Sequence, residues 1–328
     1  MAAGLKPPLT GRMASSLWGG GIAPTAMPLE TYKTMQIAHG VYSIRQTGLR
    51  AYPSGHTQAY LLDDGKELTL IDTLADDDAH LIFEALESIK RPVTDIKHIV
   101  ITHAHLSHLG GLAVLKRASR ATVYAHEWEA DIIAGDRKAQ PVSLWPTPPI
   151  RTFPQRVGLA LGLSAPACDI DRPLKDGDSV GPVQVMHTPG HTPGHLVFYW
   201  PKRQALFAGD NIMTWPRFGA GWPSFQVNKN EFCRSFLRLV KELDPRMQLI
   251  GVGHGEPIIE RAAERVRCLL SSVVSDYSDA SWEQKESGKT HRHPSGRSAA
   301  ALRVGQGRRQ HPCPASLRGR QSRRDRHL

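Results

Sequence analysis

The stretch Ile101-Thr102-His103-Ala104-His105-Leu106-Ser107-His108-Leu109-Gly110-Gly111 puts three histidines within six residues. It begins at the end of the apolar run His98–Thr102, which reads as a strand bounded by a loop. Imidazole nitrogen is a good ligand for borderline divalent metals, and histidines gathered near carboxylates mark a metal site. In extended backbone, residues two apart point to the same side, so His103 and His105 form a pair. His108 falls near the start of the amphipathic segment Ser107–Lys116. For one such cluster alone, three solvated surface histidines are the competing reading.

The cluster does not stand alone. His187-Thr188-Pro189-Gly190-His191-Thr192-Pro193-Gly194-His195 follows the run Val183–His187, and its prolines and glycines build a tight, preorganised turn. Leu206-Phe207-Ala208-Gly209-Asp210 ends a further run in a carboxylate, and Gly251-Val252-Gly253-His254-Gly255-Glu256 sets one more imidazole between glycines. Loops bearing His or Asp that each follow a strand can converge on one edge of a sheet. Together they are far more specific than any one of them.

Taken together, these loops resemble the metallo-β-lactamase superfamily, within its glyoxalase II-like and general hydrolase branch. The resemblance runs from about Ile37 to Ile259 and includes Leu70-Ile71-Asp72-Thr73, whose aspartate is structural in that family. It implies an α/β fold, a four-layer αββα sandwich with metals in a cleft at one edge of the two sheets. By position, His103, His105 and His191 would hold a first metal, His108 and His254 a second, and Asp210 would bridge both. Zn2+ is the expected ion, with Fe or Mn as alternatives. The implied activity is hydrolysis of a small acyl substrate (thioester, ester or lactone) by hydroxide generated on the metal, with Asp210 and His108 at the catalytic centre. β-Lactam hydrolysis and a degenerate, non-enzymatic metal binder are the competing functions.

One position departs from the pattern. The family writes its first cluster HxHxDH, and here Ser107 replaces the acid. A neutral hydroxyl is a weak ligand, so the expectation is a tight first metal, a weakened second and slower turnover. Ser107 is also expected to cap the first turn of the helix, as aspartate would.

Around these motifs, strands are expected at Val41–Arg45, Ala59–Asp63, Leu68–Asp72, Thr122–Ala125, Leu196–Trp200, Ala205–Ala208 and Gln248–Val252. Helices are expected over Asp76–Ser88, Ser107–Lys116, Glu231–Leu243 and Pro257–Ser271; in the first, Leu81, Ile82, Ala85, Leu86 and Ile89 share one face. His187 and His195 are expected to orient or pack, with His195 in reach of a ligand. His126 reads as a helix-start or buried residue. Gln140–Arg156 and Ile212–Val227, with Trp145, Trp215, Phe218, Trp222 and Phe225, would wall the cleft, pack on the sheet or meet a second subunit in a homodimer.

Composition bounds the rest. The 328 residues carry 41 Lys+Arg against 31 Asp+Glu, but the excess is local, with +9 over residues 281–328 and +1 over the remainder. A near-neutral body argues against nucleic acid as a partner and leaves a small molecule as the expected one. Residues 1–30 (Gly/Pro/Ala/Ser-rich) and 276–328 (basic) lack apolar periodicity and are expected to be disordered, flanking one domain over 35–275. No run of eighteen apolar residues exists, so no membrane span is expected. The four cysteines, Cys168, Cys233, Cys268 and Cys313, form no CxxC pair. Reduced cysteines and no secretory signal point to the cytoplasm.

Overall fold

Strands whose two faces are both covered read as continuous apolar runs rather than alternating ones, and that is how this chain builds its sheets. The computed structural model describes residues 33–47, 56–139, 157–158, 161, 163–270 and 273. The expected leader 1–30, the basic tail 276–328 and the aromatic stretch 140–156 lie outside the described residues.

One sheet has seven strands in chain order: β1 (Thr34–Ala38), β2 (Val41–Gln46), β3 (Thr57–Asp63), β4 (Leu68–Ile71), β5 (Ile96–Val100), β6 (Thr122–His126) and β7 (Arg172–Leu174). Its first four strands pair antiparallel and its last four parallel. The second sheet holds β8 (Ser179–Val180), β9 (Val183–His187), β10 (Leu196–Trp200), β11 (Ala205–Phe207) and β12 (Leu249–Gly251), ordered β12-β11-β10-β9-β8. Only β11 and β12 run parallel there.

Alternating side chains divide three layers of core. From β3, Ala59 and Leu61 face one side and Tyr60 and Leu62 the other; from β6, Val123 and Ala125 oppose Tyr124. The inner faces of the two sheets meet through Leu62, Ile71, Val100, Leu196, Phe198 and Phe207. Tyr60 also links them by hydrogen bonds, since its hydroxyl accepts from the Val252 N–H (2.8 Å) and donates to the Val252 carbonyl (2.9 Å). The outer face of the first sheet is covered by α1 (His80–Ser88), α2 (Leu106–Leu109), α3 (Leu112–Ser119) and α4 (Glu127–Ala134). The outer face of the second is covered by α5 (Lys229–Glu242) and α6 (Ala262–Arg267). Helix, sheet, sheet, helix is the expected four-layer α/β sandwich.

Helix α1 buries Leu81, Ile82, Ala85 and Leu86, as the spacing requires. Helix α5 buries Phe232, Ser235, Phe236, Leu239 and Val240 on one face, and the Asn228 side chain caps it by accepting from the Glu231 N–H at 3.0 Å. The single helix expected over Ser107–Lys116 is two. At Gly110 and Gly111 the backbone N–H groups turn to the carbonyls of Leu74 and Thr73, and a Cβ on Gly110 would lie 2.5 Å or less from the Ala75 carbonyl. The loop after β4 thus interrupts the helix. β1, β7, β8 and α4 are additions to the elements expected from sequence; β7 is an edge strand containing Pro173, which breaks the usual signal.

Among the described residues no helix is long and apolar enough to cross a membrane. Among the described residues Cys168 and Cys233 are free.

Candidate metal centre

Every motif loop leaves the carboxyl end of a strand. Asp72 follows β4, the segment His103–His108 follows β5, His191 follows β9, Asp210 follows β11 and His254 follows β12. The parallel pairs β4–β5 and β11–β12 bring their carboxyl ends to the same edge of the sandwich, as open α/β sheets do at ligand sites.

The structure brings all six sequence-derived ligands together. In the first set, His103 Nε2 lies 3.0 Å from His105 Nδ1, and His191 Nε2 lies 3.2 Å from each of them. Asp210 Oδ2 is 3.4 Å from His191 Nε2 and 3.8 Å from His103 Nε2. A tetrahedron of ligands each 2.0–2.1 Å from a zinc ion has edges of about 3.3 Å, which these spacings match. The second set shares Asp210, with Oδ1 3.5 Å from His108 Nε2 and Oδ2 3.6 Å from His254 Nε2. All six side chains are buried. A Cβ on Gly253 would meet Asp210 Oδ1 at 2.1 Å, so only glycine lets the carboxylate come this close to the last loop.

Tautomers follow from fixed donors and acceptors. The Asp72 carboxylate accepts from the Thr102 N–H and hydroxyl, each at 2.8 Å, and from His108 Nδ1 at 2.9 Å. Because the Thr102 hydroxyl donates to Asp72, it accepts from His103 Nδ1 at 3.0 Å. Both rings thus spend Nδ1–H on the protein and turn Nε2 inward, which is how ligand histidines are oriented. Asp72 thus bonds both Thr102 and His108, at the position where the resemblance implied a structural aspartate. His195 also has the orienting role expected of it: its Nε2 accepts from the Asp210 N–H at 3.2 Å, while Nδ1 faces the Thr188 hydroxyl at 3.0 Å.

Electrostatics separate the imidazoles. Burial pushes His105 and His254 down to about 4 and His195 to about 3, and holds His103 and His191 well below the usual histidine range. These rings are neutral and offer lone pairs. His108 is opposite: burial lowers it, but the carboxylates of Asp72 and Asp210 outweigh that and raise it to about 10. Burial would raise Asp210, yet His254, His108 and His191 hold it well below the ordinary carboxylate range.

Buried polar atoms are nearly always paired. Here both ring nitrogens of His254, His108 Nε2, His191 Nδ1 and Asp210 Oδ1 have no hydrogen-bond partner. Of these, His108 Nε2, His254 Nε2 and Asp210 Oδ1 face one another and fit a divalent ion, and two groups, His103/His105/His191/Asp210 and His108/Asp210/His254, have ligand atoms within 4.8 Å of one another.

Ser107 departs from expectation. It does not cap α2, because the helix begins one residue earlier with His105 as its N-cap, leaving Ser107 inside the first turn. Its buried hydroxyl has no hydrogen-bond partner. His126 is a helix-start residue, capping α4 by accepting from the Trp128 N–H at 3.1 Å. His187 closes its own turn on the Pro193 carbonyl at 2.8 Å and stacks on His126 at 4.2 Å. In the loop after Asp210, Trp222 packs its ring 4.9 Å from His254 and Phe225 lies 6.4 Å from His105, so these two aromatics wall the centre. Phe218 instead packs under Arg265 on α6. Sequence reading missed Glu129, a fully buried carboxylate on α4 that reaches two of the ligand loops.

The model of the metallo-beta-lactamase superfamily matches residues 53–252. The uncharacterized protein YobT of Bacillus subtilis is 27% identical over 218 residues, covering 63% of this chain and 86% of that protein. A hydroxyacylglutathione hydrolase of Bdellovibrio bacteriovorus is 31% identical over 156 residues, 46% of this chain, and this chain spans only 47% of it. A metallo-beta-lactamase family protein of Thermus thermophilus superposes with a TM-score of 0.53 at 24% identity, covering 74% of this chain and 81% of that one, a likeness of fold. With its fold, its convergent His/Asp loops and a family match over most of the described residues, this chain belongs to the metallo-beta-lactamase superfamily.

Proposed function

We propose that this protein is a metal-dependent hydrolase of a small acyl substrate, a thioester, ester or lactone. The observation that carries the reading is the buried convergence of His103, His105, His108, His191, Asp210 and His254 in two groups whose ligand atoms lie within 4.8 Å of one another, with His108 Nε2, His254 Nε2 and Asp210 Oδ1 left unsatisfied by the protein itself. The relative named as a hydroxyacylglutathione hydrolase supports an acyl substrate. The mixed nitrogen and oxygen donors favour zinc, with His103, His105, His191 and Asp210 as the tighter set.

When bound, a divalent ion lowers the pKa of water and polarises a carbonyl, so no covalent protein nucleophile is required. The chain's own residues prepare that chemistry. Asp72 and Thr102 fix the His103 and His108 tautomers, and the His195 ring holds the Asp210 backbone in place. Trp222 and Phe225 exclude bulk water on one side, which strengthens every charge interaction within. At the second set the carboxylates of Asp72 and Asp210 favour the protonated His108 ring, which competes with its use as a ligand. Ser107 brings no negative charge to assist there, so turnover should be slow for the family.

The test is a substrate panel run on zinc-loaded protein: glutathione thioesters, aryl esters, lactones and a chromogenic cephalosporin. Turnover of a thioester, ester or lactone that vanishes on chelation and returns with zinc is the expected result. Turnover of the cephalosporin alone would move the function to β-lactam hydrolysis. No metal-dependent turnover on any of them would overturn the proposal.

A further inference from the structure

We propose that Glu129 is a positioning residue for the first ligand set, one buried carboxylate that fixes the two loops carrying His103, His105 and His191. The inference rests on the metal-dependent reading of the centre. Glu129 stands in the first turn of α4, outside the six ligands, and is 0% exposed. Its Oε2 accepts from the Ala104 N–H at 3.1 Å, and Ala104 is the residue between His103 and His105. Its Oε1 accepts from the Gly194 N–H at 2.9 Å, three residues beyond His191 in the tight turn.

Both partners are backbone N–H groups, which can only donate, so both positions on the side chain must be acceptors. A carboxylate meets that requirement. An amide would not, since its NH2 would face one of the two N–H groups. The start of α4 is itself anchored to the same turn. His126 caps the helix and stacks on His187, whose ring bonds the Pro193 carbonyl next to Gly194. The helix start thus rests against the His191 turn, and the carboxylate bonds from it to the His103–His105 loop. Those loops come from different sheets, one following β5 and the other joining β9 to β10, and Glu129 bonds to both of them. The second set is tied differently, with the Asp72 carboxylate behind His108 at 2.9 Å and an Arg45–Glu256 ion pair of 2.8 Å beside the His254 loop. The His254 loop is held by pairing with β3, through the bonds from Gln58 N to the Gly253 carbonyl (3.0 Å) and from Gly255 N to the His56 carbonyl (2.9 Å).

Gly194 offers an independent way to disturb the same contact. A Cβ there would meet Glu129 Cγ and Oε1, both at 2.7 Å, so Gly194→Ala pushes on the carboxylate without altering it.

The experiment is zinc binding to the chelator-stripped full chain by competition with a chromophoric chelator, for wild type, Glu129→Gln and Gly194→Ala, with the melting temperature of each metal-free protein alongside. Wild type must bind zinc; if it does not, the hydrolase reading itself fails. Granted that, Glu129→Gln is expected to weaken the tight equivalent by about 10- to 100-fold, the usual effect of losing a partner behind a ligand. The weaker equivalent should move less than about threefold. Gly194→Ala should shift binding in the same direction, with the same bias to the tight equivalent. A folded Glu129→Gln protein with wild-type affinity overturns the proposal, as does equal loss at both equivalents. Failure of both variants to fold would also overturn it, in favour of a purely architectural carboxylate.

Discussion

The two halves of the centre share Asp210 and differ in almost everything else. The first draws three neutral imidazoles to 3.0–3.2 Å of one another, with Thr102 and Asp72 behind His103. The second has two imidazoles. One of them, His108, lies against the carboxylates of Asp72 and Asp210, which raise its pKa to about 10, and the ring of the other, His254, makes no hydrogen bond and packs against Trp222. Ser107 sits beside this half with an unpartnered hydroxyl where the resemblance places an acid. A centre of this kind can keep its shape while losing half its charge. The fold fixes where the loops end, and the loops' own side chains set how strongly each half attracts an ion.

Four substitutions and one titration can break or sharpen this contrast. The largest effect belongs to the shared ligand: Asp210→Asn should strip ion from both halves and cut hydrolysis by more than about 100-fold, beyond the usual loss from outer partners. Atomic absorption on the purified variant, with the substrate panel, checks this. Next come paired ligand removals. His105→Ala should abolish the tight equivalent, whereas His254→Ala should leave one ion bound per chain. If His254→Ala instead loses the tight equivalent, the two halves are not separable. Ser107→Asp should then tighten the weaker equivalent by about tenfold, since affinity follows the count of charged ligands, and raise turnover at saturating metal. Equal turnover in the two proteins would show that the missing acid has no catalytic part.

The smallest effect is on stability against pH in the metal-free protein. Histidine in an unfolded chain titrates near 6.5, but His105 and His254 are held at about 4 and His195 at about 3 by burial. Between those values the unfolded chain takes up protons that the folded protein does not, so stability falls as pH drops from about 6.5 toward 4. His108, raised to about 10, contributes stability that is complete below about 6.5 and is lost as pH rises through 10. Urea midpoints at pH 5, 7 and 9.5 should peak at the middle value. A midpoint climbing steadily to pH 9.5 would remove the His108 assignment.

Most of this centre is legible in the sequence because its chemistry is local. A histidine or aspartate placed just after an apolar run is visible there, and runs such as β3, β4, β11 and β12 are plain because both faces of those strands are buried. β9 and β10 fall on their expected bounds, Val183–His187 and Leu196–Trp200. β5 lies two residues earlier than expected, because the Thr102 N–H leaves the strand ladder for the Asp72 carboxylate, a contact between loops 30 residues apart. Ser107 reads as a cap from sequence but is not one, since the helix starts at Leu106, which only the backbone shows. Glu129 carries no signal at all: one glutamate on an eight-residue helix looks like a solvated charge until two other loops fold over it.

The central claim, that these buried side chains hold an ion, is most directly tested by equilibrium dialysis of chelator-stripped protein against zinc. The expected isotherm has two unequal classes, one tight equivalent per chain and one distinctly weaker. Protein that stays folded yet binds no zinc above background would contradict it.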